Sequence, residues 1–255
     1  MNFVAPVQFI TPIYPMLRLQ FDDGFATDYT LTLAELQSRE LKATFATVPN
    51  WVGDVGRTTW AQVKEIQAAG HSTQCHTLNH VDLRFLTEQE IRDSFAGVDN
   101  AFIAEGLALP EHTTAPAGVI NEADVPIVSE YRNTLVRNVL HPNRSQPISF
   151  RHTLDLMAMP YYEHRTNQGD IYNFNLADGR KHLQEVLTQL IRQRRWMTII
   201  LHEVIDGDTV PDGTVNKITL SSLRSVLDII VNSGIPVVTV EELYARVAEY
   251  RGLLN

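Results

Sequence analysis

The sequence predicts an α/β fold on a parallel sheet, and three observations carry that reading. Short apolar runs alternate along the chain with amphipathic stretches of helical period, as βα units require. The helical stretches open on capping signals and stop at glycines. The 255 residues, 44% of them hydrophobic, suffice for one large core and fall in the range where an α/β barrel runs as a single unit.

Strands are expected at 16–21, 43–48, 71–74, 113–115, 134–136, 197–201 and 236–239. Thr59 with Gln62, Thr87 with Glu90, and Thr239 with Glu242 each have the spacing of a capping box, and Leu86 with Ile91 adds a hydrophobic staple to the second. Trp60, Val63 and Ile66 recur at helical spacing before Gly70. Leu220, Leu223, Val226, Leu227, Ile230 and Val231 do the same before Gly234. Residues 1–15, spaced by Pro6, Pro12 and Pro15, read as an extension ahead of a single domain at 16–255. The stretch 141–175 is the least regular, rich in Pro, Asn and Arg, and reads as a substrate-facing loop.

A net charge of -9 without long charged blocks argues against nucleic acid or an anionic membrane as partner. Arg192, Arg194 and Arg195 sit where a helix ends, where cations complement the helix dipole. The lone Cys75 allows no intramolecular disulfide. No apolar run approaches the roughly 20 residues of a membrane span, and the first residues lack the form of a signal peptide. The expected location is therefore cytoplasmic, or extracellular by another route such as a virus particle or cell lysis. Self-association or incorporation into an assembly is left open.

The chemistry is concentrated in Phe21-Asp22-Asp23-Gly24 and His76-Thr77-Leu78-Asn79-His80. Adjacent Asp residues at the end of a strand point in different directions, so one can hold a cation while the other handles protons. Two His at i and i+4 share one face of a helical turn and can meet on one ion. Two nitrogens, one carboxylate and an open fourth position suit zinc or a similar divalent ion in metal-assisted hydrolysis. His202, after the apolar run 197–201, falls at the C-terminal end of a strand, where barrel active sites lie. His71 is five residues from His76, a spacing that does not fit one helical turn, and Cys75 should face away from His76; both read as packing residues. Trp51, in a loop after a strand, and Tyr161 with Tyr162, in the irregular stretch, are candidate sugar contacts.

Leu19-Gln-Phe-Asp-Asp-Gly-Phe25, then Ala43-Thr-Phe45, then Gly70-His-Ser-Thr-Gln-Cys-His-Thr-Leu-Asn-His-Val-Asp-Leu83 resemble the NodB-like polysaccharide deacetylases, carbohydrate esterase family four. Ile199-Ile-Leu-His202 and Ile235-Pro-Val-Val-Thr-Val-Glu-Glu-Leu243 are similar to later segments of that family, so the resemblance runs over 16–247 and is weakest in the middle third. It implies a distorted (β/α) barrel of about seven parallel strands with the metal at their C-terminal ends. By motif match Asp23, His76 and His80 are the metal ligands, for zinc or else Co, Ni or Mn. Asp22 is the base that takes a proton from the attacking water, and His202 is the acid that protonates the leaving group. The implied substrate is an acetylated polysaccharide, a bacterial surface glycan or chitin-like polymer, losing N- or O-linked acetyl.

The chain departs from the family at two motifs. Where the family usually carries Arg and Tyr, this sequence has Thr114-Ala115-Pro116-Ala117-Gly118. The backbone N–H of Ala117 can still serve an oxyanion, but the arginine that braces the base is gone, with Arg137, Arg144, Arg151 and Arg165 as substitutes on other segments. The family's acidic, Trp-containing fourth motif has no match between Tyr131 and Leu140, which leaves His202 without an assigned partner. These departures keep two other readings in view: an allantoinase-like hydrolase of a small cyclic amide, and a glycan-binding subunit of an assembly with little or no catalysis.

Overall fold

The computed structural model describes residues 15–138, 155–158, 173–194, 196–211 and 216–251. Seven strands form one sheet: β1 (Met16–Asp22), β2 (Thr44–Thr47), β3 (Ser72–Cys75), β4 (His112–Thr114), β5 (Thr134–Asn138), β6 (Asp155–Ala158) and β7 (Trp196–Leu201). Their order is β6-β5-β4-β3-β2-β1-β7 and every pairing is parallel. The edge strands β6 and β7 approach to within 8 Å between Cα atoms, with no ladder between them among the described residues. This is the distorted, incompletely closed barrel the sequence implies.

Curvature is visible in the side chains of β1. Its sequence alternates apolar and polar residues, yet all seven positions are buried. Leu17, Leu19 and Phe21 face outward into a core with Leu183, Leu187 and Leu190 of the helix α5 (Ala177–Gln193) and Leu223, Val226, Leu227 and Ile230 of α6 (Leu220–Ser233). Arg18, Gln20 and Asp22 face the other way. Gln20 reaches Thr114 of β4, two strands beyond its neighbour β2, which requires the sheet to wrap round a polar interior.

The helices start and stop as the local sequence dictates. Reciprocal capping boxes begin α2 (Trp60–Ala68) at Thr59 and Gln62, and α3 (Glu88–Ala104) at Thr87 and Glu90. Thr239 and Glu242 exchange the same pair of bonds at the start of α7 (Val240–Arg251). Gly234 ends α6 at φ 68°, a left-handed conformation that favours glycine. The helix α1 (Leu33–Gln37) is preceded by a wider π-type turn at Asp28–Thr32, and α4 (Val125–Ser129) is a short connector.

Two expectations need correction. Segment 236–239 is not a strand: only Val237 bridges Leu17, through Leu17 N–H to Pro236 O and Val238 N–H to Leu17 O, both 2.9 Å. It completes the lower edge of β1 below the point where pairing with β2 begins at Gln20, and the capping demand of Thr239 then turns the chain into α7. The seventh strand is instead β6, inside the stretch read as irregular. The short parallel pair β8 (Glu203–Ile205) and β9 (Lys217–Thr219) was not anticipated either. Among the described residues no helix is long and apolar enough to cross a membrane.

Candidate metal and hydrolytic centre

Asp22 closes β1 and is 3% exposed, whereas Asp23 leaves the strand at φ 79° and turns its carboxylate elsewhere. The Asp23 N–H still donates to Ala46 O of β2 at 3.0 Å, and Arg57 Nη1 donates to Asp23 O at 3.0 Å, so the turn is held from both sides. Gly24 follows at φ 65°.

The histidines converge by a route other than the expected helical turn. Residues 76–80 form a loop in which Thr77 and His80 both take left-handed φ values, 64° and 57°. His76 N–H donates to Thr47 O at 2.8 Å, which continues β3 by one residue, and His80 N–H donates to the Thr77 hydroxyl at 3.2 Å. The two imidazole centroids come to 4.6 Å. Of the seven non-glycine residues with positive φ among those described, four are Asp23, Thr77, His80 and Ala117. Such conformations cost of order 1–3 kcal/mol each and persist where surrounding structure enforces them, commonly at functional sites.

Ligand atoms of Asp23, His76 and His80 lie within 4.8 Å of one another. Asp23 Oδ1 is 3.3 Å from His80 Nε2 and 3.6 Å from His76 Nε2. A tetrahedral ion with bonds of about 2.1 Å sets its ligand atoms about 3.4 Å apart. The fit extends to hydrogen bonding: Asp23 Oδ1 is buried and accepts no hydrogen bond among the described residues, which leaves it available to a cation. His76 Nδ1 sits 2.8 Å from Thr114 O, so that nitrogen donates and Nε2 keeps its lone pair toward the cluster. Burial, followed by the neighbouring His76, holds His80 below the usual imidazole pKa against the pull of Asp23 and Asp22, and a ligand must be neutral.

Around this trio, Asp22 Oδ2 lies 3.9 Å from His76 Nε2. Asp22 Oδ1 accepts from Gln20 Nε2 at 2.5 Å, and the same amide donates to Thr114 Oγ1 at 2.8 Å. Asp22, the expected base, is therefore braced by a glutamine of its own strand. The side chains of Arg137, Arg144, Arg151 and Arg165, named from the sequence, lie outside the described residues, as do Tyr161 and Tyr162. His202 follows β7 directly and is half-buried.

Asp28 was missed in the sequence. It is fully buried in the π-type turn, which packs on β8 just beyond His202, and its carboxyl is pushed well above the usual range by burial, then by Asp23 and Asp22, with His202 opposing. Its only signal was an acidic residue five positions beyond Asp23, too common to single out.

Ala117 occupies an exposed turn after β4 at φ 53°. Trp51 packs against His80 with the rings tilted by 32° and 5.0 Å between centroids, and the Arg57 guanidinium lies 4.4 Å over the indole. Trp51, a candidate sugar contact, thus also buttresses a candidate ligand. His71 and Cys75 are packing residues as read: His71 Nδ1 accepts from Ala43 N–H at 3.2 Å, and Cys75 Sγ lies 3.2 Å from Thr113 Oγ1 and 3.4 Å from Arg132 Nε.

Residues 11–136 match the polysaccharide deacetylase family model. Over those residues, just under half of its length, the chain is similar to the polysaccharide deacetylases. Over 95 residues it is 33% identical to YxkH of Bacillus subtilis (strain 168), a protein assigned to the polysaccharide deacetylases. That match spans 36% of this chain and about a third, 34%, of the relative. Its fold is shared with the family-four esterase domain of a multidomain xylanase from the hindgut metagenome of Trinervitermes trinervoides, at TM-score 0.60 and 16% identity over 91% of each chain. An acetyl xylan esterase from Clostridium thermocellum, solved with a cobalt ion, has TM-score 0.56 at 19% identity over 90% of each chain. A family-four pseudoenzyme from Bacillus anthracis has TM-score 0.58 at 16% identity, covering 91% of this chain and 66% of that one. The fold therefore accommodates inactive members, and the case for catalysis rests on the residues of this chain.

Proposed function

We propose that this protein is a member of the polysaccharide deacetylase family and a metal-dependent deacetylase that hydrolyses N- or O-linked acetyl groups of a polysaccharide, a bacterial surface glycan or chitin-like polymer. The observation that carries the reading is the Asp23, His76 and His80 cluster with the separately held carboxylate of Asp22 beside it. A divalent cation held by those three side chains, zinc by preference for two nitrogens and one carboxylate, supplies Lewis acidity that acidifies water and polarises an acyl carbonyl.

The chain's own residues divide the remaining work. Asp22, held by Gln20 and aimed beside the ligand cluster, takes the proton of the attacking water. The Ala117 backbone N–H, on the turn after the strand whose Thr114 carbonyl orients His76, donates to the developing oxyanion. His202, at the end of β7, gives a proton to the departing amine or alcohol, and the buried Asp28 lies where it can bias that imidazole.

The test is acetate release from a panel of N-acetylated chitooligosaccharides, acetylated xylan and acetylated bacterial surface glycans. Activity on one polymer class identifies the linkage. Turnover confined to small cyclic amides would replace this reading with the allantoinase-like one, and binding to glycans without turnover would replace it with the glycan-binding one.

A further inference from the structure

The barrel interior holds a second feature that the metal cluster does not use. Arg18, Gln20 and Asp22 occupy alternate positions of β1 and so share its inward face. Arg18 is 1% exposed, and none of its three guanidinium nitrogens has a hydrogen-bond partner among the described residues. Gln20 is 0% exposed; its amide nitrogen binds Asp22 and Thr114, while its Oε1 has no partner among the described residues. A buried, unpaired cation is costly, and cores seldom keep one without a use.

We propose, on the deacetylase reading, that Gln20 is a positioning residue that fixes the Asp22 carboxylate for proton abstraction, and that Arg18 supplies from the same strand the positive charge that position 114 lacks. The second carboxylate within electrostatic reach of Arg18 is Glu241, which Ser72 Oγ already engages at 2.7 Å and the Gln74 amide also binds. Burial lowers the Arg18 pKa to about 10, against the pull of Asp22 and Glu241, so the guanidinium keeps its charge at neutral pH. Thr114 serves twice. Its carbonyl fixes the ligand His76 and its hydroxyl fixes the amide that holds the base, which couples the two halves of the centre through one residue of β4.

The experiment compares the intact chain with Gln20→Met, Thr114→Val, Thr114→Ser and Arg18→Met. Each protein is loaded with Co²⁺ and assayed on N-acetylated chitopentaose, with Co²⁺ affinity measured separately. Gln20→Met and Thr114→Val are expected to lower kcat about 10- to 100-fold, with KM and Co²⁺ affinity within about 2-fold, and Thr114→Ser to restore most of kcat. Arg18→Met is expected to lower kcat about 10-fold without lowering the thermal midpoint, an outcome that a merely structural arginine would not give.

A readout independent of turnover is the ¹⁵N side-chain amide resonance of Gln20, identified by its loss in Gln20→Met. It is expected to move in Asp22→Asn and in Thr114→Val. Unchanged kcat in Gln20→Met, parallel loss of Co²⁺ binding, or a Gln20 resonance indifferent to Asp22→Asn overturns the proposal. An intact chain that releases no acetate from any probe overturns the deacetylase reading instead, and the amide resonance still decides the placement of Gln20.

Discussion

The Nδ1 of His76 lies 2.8 Å from the carbonyl oxygen of Thr114, and that contact sets which face of the imidazole is free. The two residues follow or close neighbouring strands, β3 and β4, so the pairing of those strands also specifies the histidine's tautomer. Asp22, by contrast, is tied to Gln20 and stands apart from the three candidate ligands.

Separate attachment predicts separable losses. In isothermal titration with zinc, His76→Ala should lose tight binding, whereas Asp22→Asn should keep it and lose about 100-fold or more of kcat. Equal zinc affinity in both variants would contradict the assignment of ligand and base.

Gly97 of α3 permits close packing on the loop that carries the candidate ligands His76 and His80, since a Cβ there would sit 2.5 Å from Leu78 Cδ2. Leu78 is tied down by its N–H to Ser94 Oγ at 3.2 Å and by its carbonyl, which accepts from Asn50 N–H at 3.2 Å. Gly97→Ala is expected to destabilise the fold by about 1–3 kcal/mol in urea titration. Because Leu78 lies between the two histidines, it should also weaken zinc binding about 10-fold.

Stability should fall on mild acidification. Burial, then Lys42, lowers His71 to about 4, and burial lowers His112 to about 4, with Arg18 and Arg132 adding to it against Glu241. An unfolded imidazole titrates near 6.5. The unfolded chain therefore binds more protons between these values, so the contribution is complete above about 6.5, declines as pH falls, and is exhausted below about 4. Urea midpoints measured across that window should drop for the intact chain and drop less for His71→Gln, whose amide oxygen can accept the Ala43 N–H bond. Equal slopes would contradict the assignment to His71.

Most of the strand-and-helix frame was legible because its signals are local. The apolar run ending at Asp22, the capping boxes at Thr59, Thr87 and Thr239, and Gly234 each act within a few residues. The convergence of Asp23, His76 and His80 was legible because residue type and order limit what three such side chains can do. The loop that brings His76 and His80 together was not, since an i,i+4 spacing suits a helical turn equally well and only tertiary contacts fix Thr77 and His80 at positive φ. The Gln20 brace was hidden for another reason. A polar residue alternating with Leu19 and Phe21 reads as solvent-facing, and only closure of the sheet brings it to Thr114. Val237 shows the same limit from the other side: its apolar neighbours suggest a strand, but β1 has room for only one bridge there.

The most direct test of the central claim is acetate release from N-acetylated chitooligosaccharides and acetylated xylan by protein stripped with a chelator, before and after one equivalent of zinc or cobalt is returned. The account predicts negligible release from the stripped protein, recovery on adding the ion, and no recovery in Asp22→Asn. Full activity after stripping, or no activity on any acetylated glycan with the ion bound, would contradict it.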